Sequence, residues 1–147
     1  MAQATLKWQQ NMLFEGEVSG HKVMLDAMPP FGKHAHPTPK ELLLVSMSGC
    51  TSMDVVGLLK KHKQNFLSLE IKTNAQARAQ HPQIFESATI EFFVTGEVIA
   101  ATLNESVQLS LSKYCSVNAM ISKVVPIQWK TYINGVEVGS GRAEFQL

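Results

Sequence analysis

A chain of 147 residues, 45% of them apolar and 17% charged, buries roughly 68% of its extended-chain surface on folding; that is enough for a true core and excludes disorder, collagen-like repeats and a coiled coil. The formal net charge is +1 and no basic run exceeds Lys60-Lys61, so counterion release has little to act on and no nucleic-acid partner is expected. The apolar run Leu42 to Val45 falls short of the ~18 residues of a bilayer span, and Met1 to Trp8 lacks a signal-peptide apolar region, so a cytoplasmic protein with no membrane attachment is expected.

Ala4 to Trp8, Phe14 to Val18 and Lys22 to Asp26 alternate partially and are punctuated by Gln9-Gln10-Asn11 and Ser19-Gly20, which predicts an antiparallel meander. Ala27 to Pro37 carries three prolines and a glycine and reads as a loop. Thr38-Pro39-Lys40-Glu41 places a capping threonine, a proline at the first helical position and a glutamate three after the cap, predicting a helix from Pro39 to about His62. Leu42, Met53, Val56 and Leu59 lie near one face of it, and Leu43, Met47 and Leu58 widen that face until apolar surface nearly encircles the helix. The small residues Ser46, Ser48, Gly49, Cys50, Thr51 and Ser52 let another element approach its backbone.

Phe66 to Ala79 and Ile84 to Thr95 alternate around Gln80-His81-Pro82-Gln83 as a long hairpin. Thr102 to Glu105 repeats the capping-box spacing ahead of Leu103, Val107, Leu111, Cys115 and Ala119 at four-residue steps, predicting a second helix with Cys115 on its buried stripe. Val124 to Ile133 reads as a strand, and Asn134-Gly135 turns it into a short last strand at Val136 to Val138. The order predicts a single α+β domain over residues 1–147.

Cys50 and Cys115 are 65 positions apart, too far for a local redox motif and too few for a zinc site. Each has a plain reading as a small core residue. If the two helices touch, they form instead a redox pair within disulfide reach. His34-Ala35-His36 lacks the third ligand a metal site needs and reads as a solvated turn, so no metal is expected. Met24, Met28, Met47, Met53 and Met120 read as core filler, and Trp8 and Trp129 as packing residues in strands. Asn118, three after Cys115, reads equally as an interface polar residue or a satisfied core amide.

Pro39-Lys-Glu-Leu-Leu-Leu-Val-Ser-Met-Ser-Gly-Cys50-Thr, followed by Lys113-Tyr114-Cys115-Ser116-Val117, resembles the OsmC/Ohr family of cysteine-dependent peroxide reductases. Trp8, Ser19-Gly20-His21, Asp54-Val55-Val56 and Phe93-Val94-Thr95-Gly96 are most like its YhfA-like branch. The resemblance covers about residues 5–133, and residues 134–147 lie outside it as a C-terminal extension. It implies an interleaved homodimer with two interfacial active sites and no bound cofactor. Cys50 would attack a hydroperoxide as thiolate, and Cys115 would resolve the sulfenic acid into a disulfide reduced by an external dithiol.

In the family, an arginine from the N-terminal segment, oriented by a glutamate directly after the helix-opening proline, supports the thiolate. Here the only arginines are Arg78 and Arg142, Lys40 follows Pro39, and Glu41 comes one position late, where capping also explains it. Asp54, one turn after Cys50, opposes a thiolate on that face. Lys40, Lys33, His34 and His36 are the candidate compensating cations, with Glu41 in support. A redox-sensing or ligand-binding protein on the same fold is the alternative to a peroxidase, and a purely structural dimer with inert cysteines the third reading.

Overall fold

The computed structural model describes residues 1–147, which form two compact units, Met1–Leu43 and Leu44–Leu147. In the first, β1 (Ala4–Gln10), β2 (Leu13–Val18) and β3 (His21–Leu25) make the expected antiparallel meander in the order β1-β2-β3. The turns are closed by residues that tolerate positive φ, Asn11 at 51° and Ser19-Gly20 at 51° and 78°. Trp8 is not a packing residue: it is 67% exposed, and its indole N–H clips the first turn by donating to Asn11 O at 2.7 Å.

Asp26 organises the loop that follows. Its carboxylate accepts from the backbone N–H of Ala27 at 2.7 Å and of Ala35 at 3.0 Å, and these donors, Ala35 first, hold its pKa below the usual carboxylate value. Gly32 is required there, because a Cβ would lie 2.3 Å from Ala27 O.

The helix α1 (Pro39–Lys61) opens as the sequence predicts. Glu41 N–H donates to Thr38 Oγ1 at 3.3 Å and Thr38 N–H to Glu41 Oε2 at 2.8 Å, a reciprocal capping box. Its core-facing stripe is Met47, Thr51, Val55 and Leu59, one residue per turn, and not the face expected around Met53, which is 76% exposed. Met28 and Met120 are also exposed, and Met24 is half-buried; of the five methionines only Met47 fills the core. The most apolar 18-residue window of α1 has a mean hydropathy of 1.7, enough by length and composition to cross a bilayer. The short-run criterion missed this because Ser, Thr and Gly dilute the leucines without supplying charge.

The second unit is built on a four-stranded sheet, β4 (Asn65–Ala77), β5 (Phe85–Glu97), β6 (Ile127–Ile133) and β7 (Val136–Arg142), in that order. Residues Ala88, Ile90, Phe92 and Val94 of β5 and Ile127, Trp129 and Thr131 of β6 face the core, each large side chain contributing about 1.5–3 kcal/mol by burial. β5 and β6 run parallel, Ile90 opposite Trp129, so the chain between them must cross over. Leu67 does not join the alternation expected of β4. The pairing slips between Phe66 and Ser68, and that bulge turns Leu67 outward, 85% exposed.

The crossover is where structure and sequence pattern part. α2 (Ala100–Leu109) starts at Ala100 with Ile99 as its cap, because Leu103 N–H already closes a turn onto Ile99 O at 3.1 Å. Thr102 therefore lies inside the helix, its carbonyl accepting from Ser106 Oγ. A π-helical turn, Ser110–Tyr114, follows, and a separate short helix α3 (Ser116–Ile121) has Cys115 as its N-cap. All five stripe residues are buried as expected, but Cys115 sits at a break in the helix with extended φ, ψ of −72° and 99°.

Asn134 and Gly135, at φ of 49° and 82°, make the expected turn. Strand β7 runs on to Arg142, and the tail is then tied down by Ala143 N–H to Ile127 O at 2.8 Å and Glu144 N–H to Leu111 O at 3.1 Å. Gly141 lies against the buried Trp129, where a Cβ would meet the indole at 2.5 Å. We expect Gly141→Ala to lower stability by about 1–3 kcal/mol through this overlap, read as a drop in Tm with no loss of secondary structure.

Candidate active site

Two chain segments bring the cysteines together. Cys50 is three residues past Met47, between the buried stripe and the open side of α1, and is half-buried; Cys115 is 1% exposed. Both are free thiols. Cys115 lies beside Cys50, and burial, then this neighbouring thiol, pushes its pKa up to about 12 despite opposing donors from Asn118. In the folded chain the buried Cys115 thiol thus keeps its proton well above the ordinary thiol range.

This has a measurable consequence for stability. In the unfolded chain the Cys115 thiol titrates at its ordinary 9.0, whereas in the fold it holds its proton to about 12. Stability is unaffected below the lower value and falls as pH rises between the two, because only the unfolded state has released the proton. We expect denaturant melts of the reduced protein to lose stability on the order of 1 kcal/mol per pH unit across that window, and Cys115→Ala to make the slope shallower.

Asn118 is fully buried beside the pair. Its Nδ2 donates to Cys115 Sγ at 3.1 Å and to Met47 O at 3.0 Å, and its backbone N–H reaches the same sulfur at 3.4 Å. Met47 O can only accept, which fixes the amide: the nitrogen must face this side. The other end, Oδ1, is buried without a partner. Asn118 is therefore not the fully satisfied core amide of one expectation: its donors are shared between Met47 O and the cysteine, and its acceptor is left over. The spacing Cys115-x-x-Asn118 repeats that of a cap and the third helical position, which is the signal that could have found it.

Asp54, expected to oppose a Cys50 thiolate, has a dedicated donor. Ser110 Oγ donates to its Oδ2 at 2.8 Å, and Ser110 Oγ lies 2.8 Å from Thr51 Oγ1. A serine hydroxyl carries one proton, so Thr51 donates to Ser110 and Ser110 to Asp54. The chain links α1 to the first residue of the π-helical turn and uses two buried hydroxyls, Thr51, read from the sequence only as a small residue, and Ser110, which the sequence reading did not single out.

The supporting candidates lie in the first unit. Glu41 accepts from Thr38 N–H and faces His34 Nε2 at 2.9 and 3.1 Å from its two carboxylate oxygens. The Thr38 donor, then His34, keep its pKa below the ordinary glutamate value. His34, at φ 51°, thus pairs with Glu41, the carboxylate one position beyond the family's arginine-orienting glutamate. Lys40 is exposed in the first turn of α1, Lys33 is exposed in the loop, and His36 lies with Lys33 and Asp26 around a cavity of about 380 Å³. The two arginines lie elsewhere: Arg78 donates to Pro82 O in the β4–β5 connection, and Arg142 ends β7.

With this geometry in view, the comparisons are specific. The sequence pattern of the family described as OsmC-like protein matches residues 32–130. Protein YhfA of Escherichia coli K12 is 37% identical over 127 residues, 85% of this chain and 92% of that protein. A hypothetical protein from Aquifex aeolicus VF5 superposes with a TM-score of 0.79 at 29% identity, covering 91% of this chain and 98% of that one. A Legionella pneumophila protein described as the organic hydroperoxide resistance protein OsmC gives a TM-score of 0.68 at 16% identity, over 89% and 96%, a likeness of fold. On the extent of the sequence match and the identity to YhfA, the chain belongs to the OsmC-like protein family.

Proposed function

We propose that this protein is a cysteine-dependent peroxide reductase acting on organic hydroperoxides or hydrogen peroxide. The observation that carries the reading is the placing of the buried Cys115 beside the half-buried Cys50, with Asn118 joining the Cys115 sulfur to Met47 O on the Cys50 helix. Cys50 attacks the peroxide as thiolate: its sulfur bonds the terminal oxygen, the O–O bond breaks, and the alcohol leaves once its alkoxide takes a proton. Cys115 then attacks the sulfenic sulfur, forming the S–S bond and expelling the hydroxyl as water. An external dithiol restores both thiols. No cofactor enters these steps. The hydroperoxide resistance named for the Legionella neighbour is in keeping with this chemistry.

The working unit in this proposal is a homodimer whose subunits cover each other's α1. Support comes from an open stripe on that helix, Val45, Gly49, Met53 and Gly57, roughly opposite the buried one. Val45 is 64% and Met53 76% exposed, and a Cβ on either glycine would meet nothing within 4 Å.

A small excess of cumene or tert-butyl hydroperoxide should consume two thiols per chain and leave a Cys50–Cys115 disulfide on peptide mapping. Thiols that stay free overturn the reading. The absence of any arginine before Cys50 favours one rival, a redox sensor on this fold. It predicts the same disulfide but no sustained turnover with a dithiol.

A further inference from the structure

We propose that Asn118 readies Cys115 for disulfide closure: its side-chain amide holds the Cys115 sulfur as an acceptor with its S–H turned to Cys50, and stabilises that sulfur as it becomes the attacking thiolate. The inference deepens the peroxidase reading by assigning the residue that acts in its second step.

Three observations carry it. The amide orientation is fixed by Met47 O, so the contact of Nδ2 with Cys115 Sγ at 3.1 Å is a donation to the sulfur. Asn118 is fully buried and its Oδ1 has no partner, a cost an apolar side chain would not carry; what the amide supplies in return is the donor on the sulfur. Cys115 lies with extended backbone at the break between the π-helical turn and α3, and Asn118 joins its sulfur to Met47 O of α1.

The groups around the sulfur explain why the donor acts only at the right moment. Burial, then Cys50, the titratable neighbour from α1, keeps Cys115 protonated. Asp54, also on α1, is turned to Ser110, and on the near side Lys113 lies over the Tyr114 ring at 5.4 Å. Once the Cys50 sulfur is bonded to a leaving group it carries no charge and becomes the electrophile. The Cys50 contribution is then gone, the Asn118 donor remains to offset burial, and the Cys115 proton is released as the S–S bond forms.

Ellman's reagent (DTNB) tests this without any peroxide. The Cys50 thiolate attacks the reagent disulfide, releasing one thionitrobenzoate and leaving the other on Cys50. Cys115 then displaces it, closing the protein disulfide and releasing the second. In the wild type we expect two thionitrobenzoates per chain, the second phase first-order and faster at higher pH.

In Asn118→Leu the first phase should stay within about twofold, while the second slows about tenfold or more at neutral pH and its pH midpoint rises by about one unit, the loss of one hydrogen bond to a charged sulfur. Asn118→Ser, which keeps a shorter donor, should fall between, and it carries the test if the leucine variant fails to show a native melt. An unchanged second phase, a slowing by the same factor at every pH, or the absence of a second release from the wild type would each overturn the proposal. If instead the second phase depends on Asn118 as described while hydroperoxides leave wild-type thiols free, the peroxidase reading fails and this assignment stands.

Discussion

Cys50→Ser should abolish hydroperoxide reduction, whereas Cys115→Ser should reduce one equivalent of peroxide and stop. The asymmetry follows from the surroundings of the two sulfurs. Cys50 is half-buried and can reach a substrate, while Cys115 is 1% exposed and holds its proton to about 12. Removing the nucleophile takes away the covalent route itself, and activity should drop about a thousandfold or more. Removing the resolving thiol leaves the first step intact, so Cys50 should gain one oxygen atom by mass, react with dimedone, and under excess peroxide advance to the sulfinic acid. Turnover with dithiol should then fall to the rate at which a small thiol can reach a sulfenic acid beside a buried wall. If Cys50→Ser retains activity, the nucleophile lies elsewhere; if Cys115→Ser cycles as fast as wild type, resolution is external and Cys115 is a core residue.

What the sequence made legible was local chemistry. Thr38 and Glu41 form their capping box, Asn134-Gly135 turns as such a dipeptide should, and the meander and the β4–β5 hairpin stand within a few residues of their expected bounds, because caps, turns and alternation are decided by neighbours a few positions apart. The same local signals misled where a distant partner decided. The Thr102 to Glu105 spacing is a capping box in composition only. The four-residue stripe through Cys115 is buried throughout yet broken by a π-helical turn, since burial reports which side faces the core and says nothing of whether the backbone between is regular. Leu67 and Met53 were assigned inward on periodicity, and a bulge in one case and a second, outward stripe in the other put them in solvent.

Of the candidate site, the two sulfurs were legible through the family resemblance and the groups around them were not. Asn118, Ser110 and Thr51 are small polar residues without charge or unusual spacing, and each matters through a contact 56 to 71 positions away in the chain: Asn118 to Met47, Ser110 to Asp54, Thr51 to Ser110. The missing arginine was visible as an absence. That Glu41 would meet His34 instead needed the loop to be folded around Asp26.

In solution the protein should size as a dimer, at twice the 16.2 kDa of the chain, and Met53→Lys or Gly57→Leu should convert it to a monomer. The argument rests on the two glycines. In the interior of a helix each costs about 1 kcal/mol relative to alanine, and within the protomer nothing excludes the alanine, because a Cβ at Gly49 or Gly57 meets no atom within 4 Å. A partner that brings its own backbone against this stripe supplies the missing reason. Val45 and Met53 alternate with them at one-turn steps and add apolar surface that α1 leaves open, while Met47, Thr51, Val55 and Leu59 are already committed to the core about 200° around the helix. A lysine at Met53 would bury a charge without a partner on association. A leucine at Gly57 fills the space the partner's backbone must occupy, yet lies in solvent in the monomer and raises helix propensity there. Both variants should therefore fold, with Gly57→Leu at least as helical as wild type, and both should run at the monomer mass in light scattering at micromolar concentration. A wild-type monomer under those conditions, or dimers that survive both substitutions, would remove the covered stripe and with it the proposed interfacial placement of Cys50.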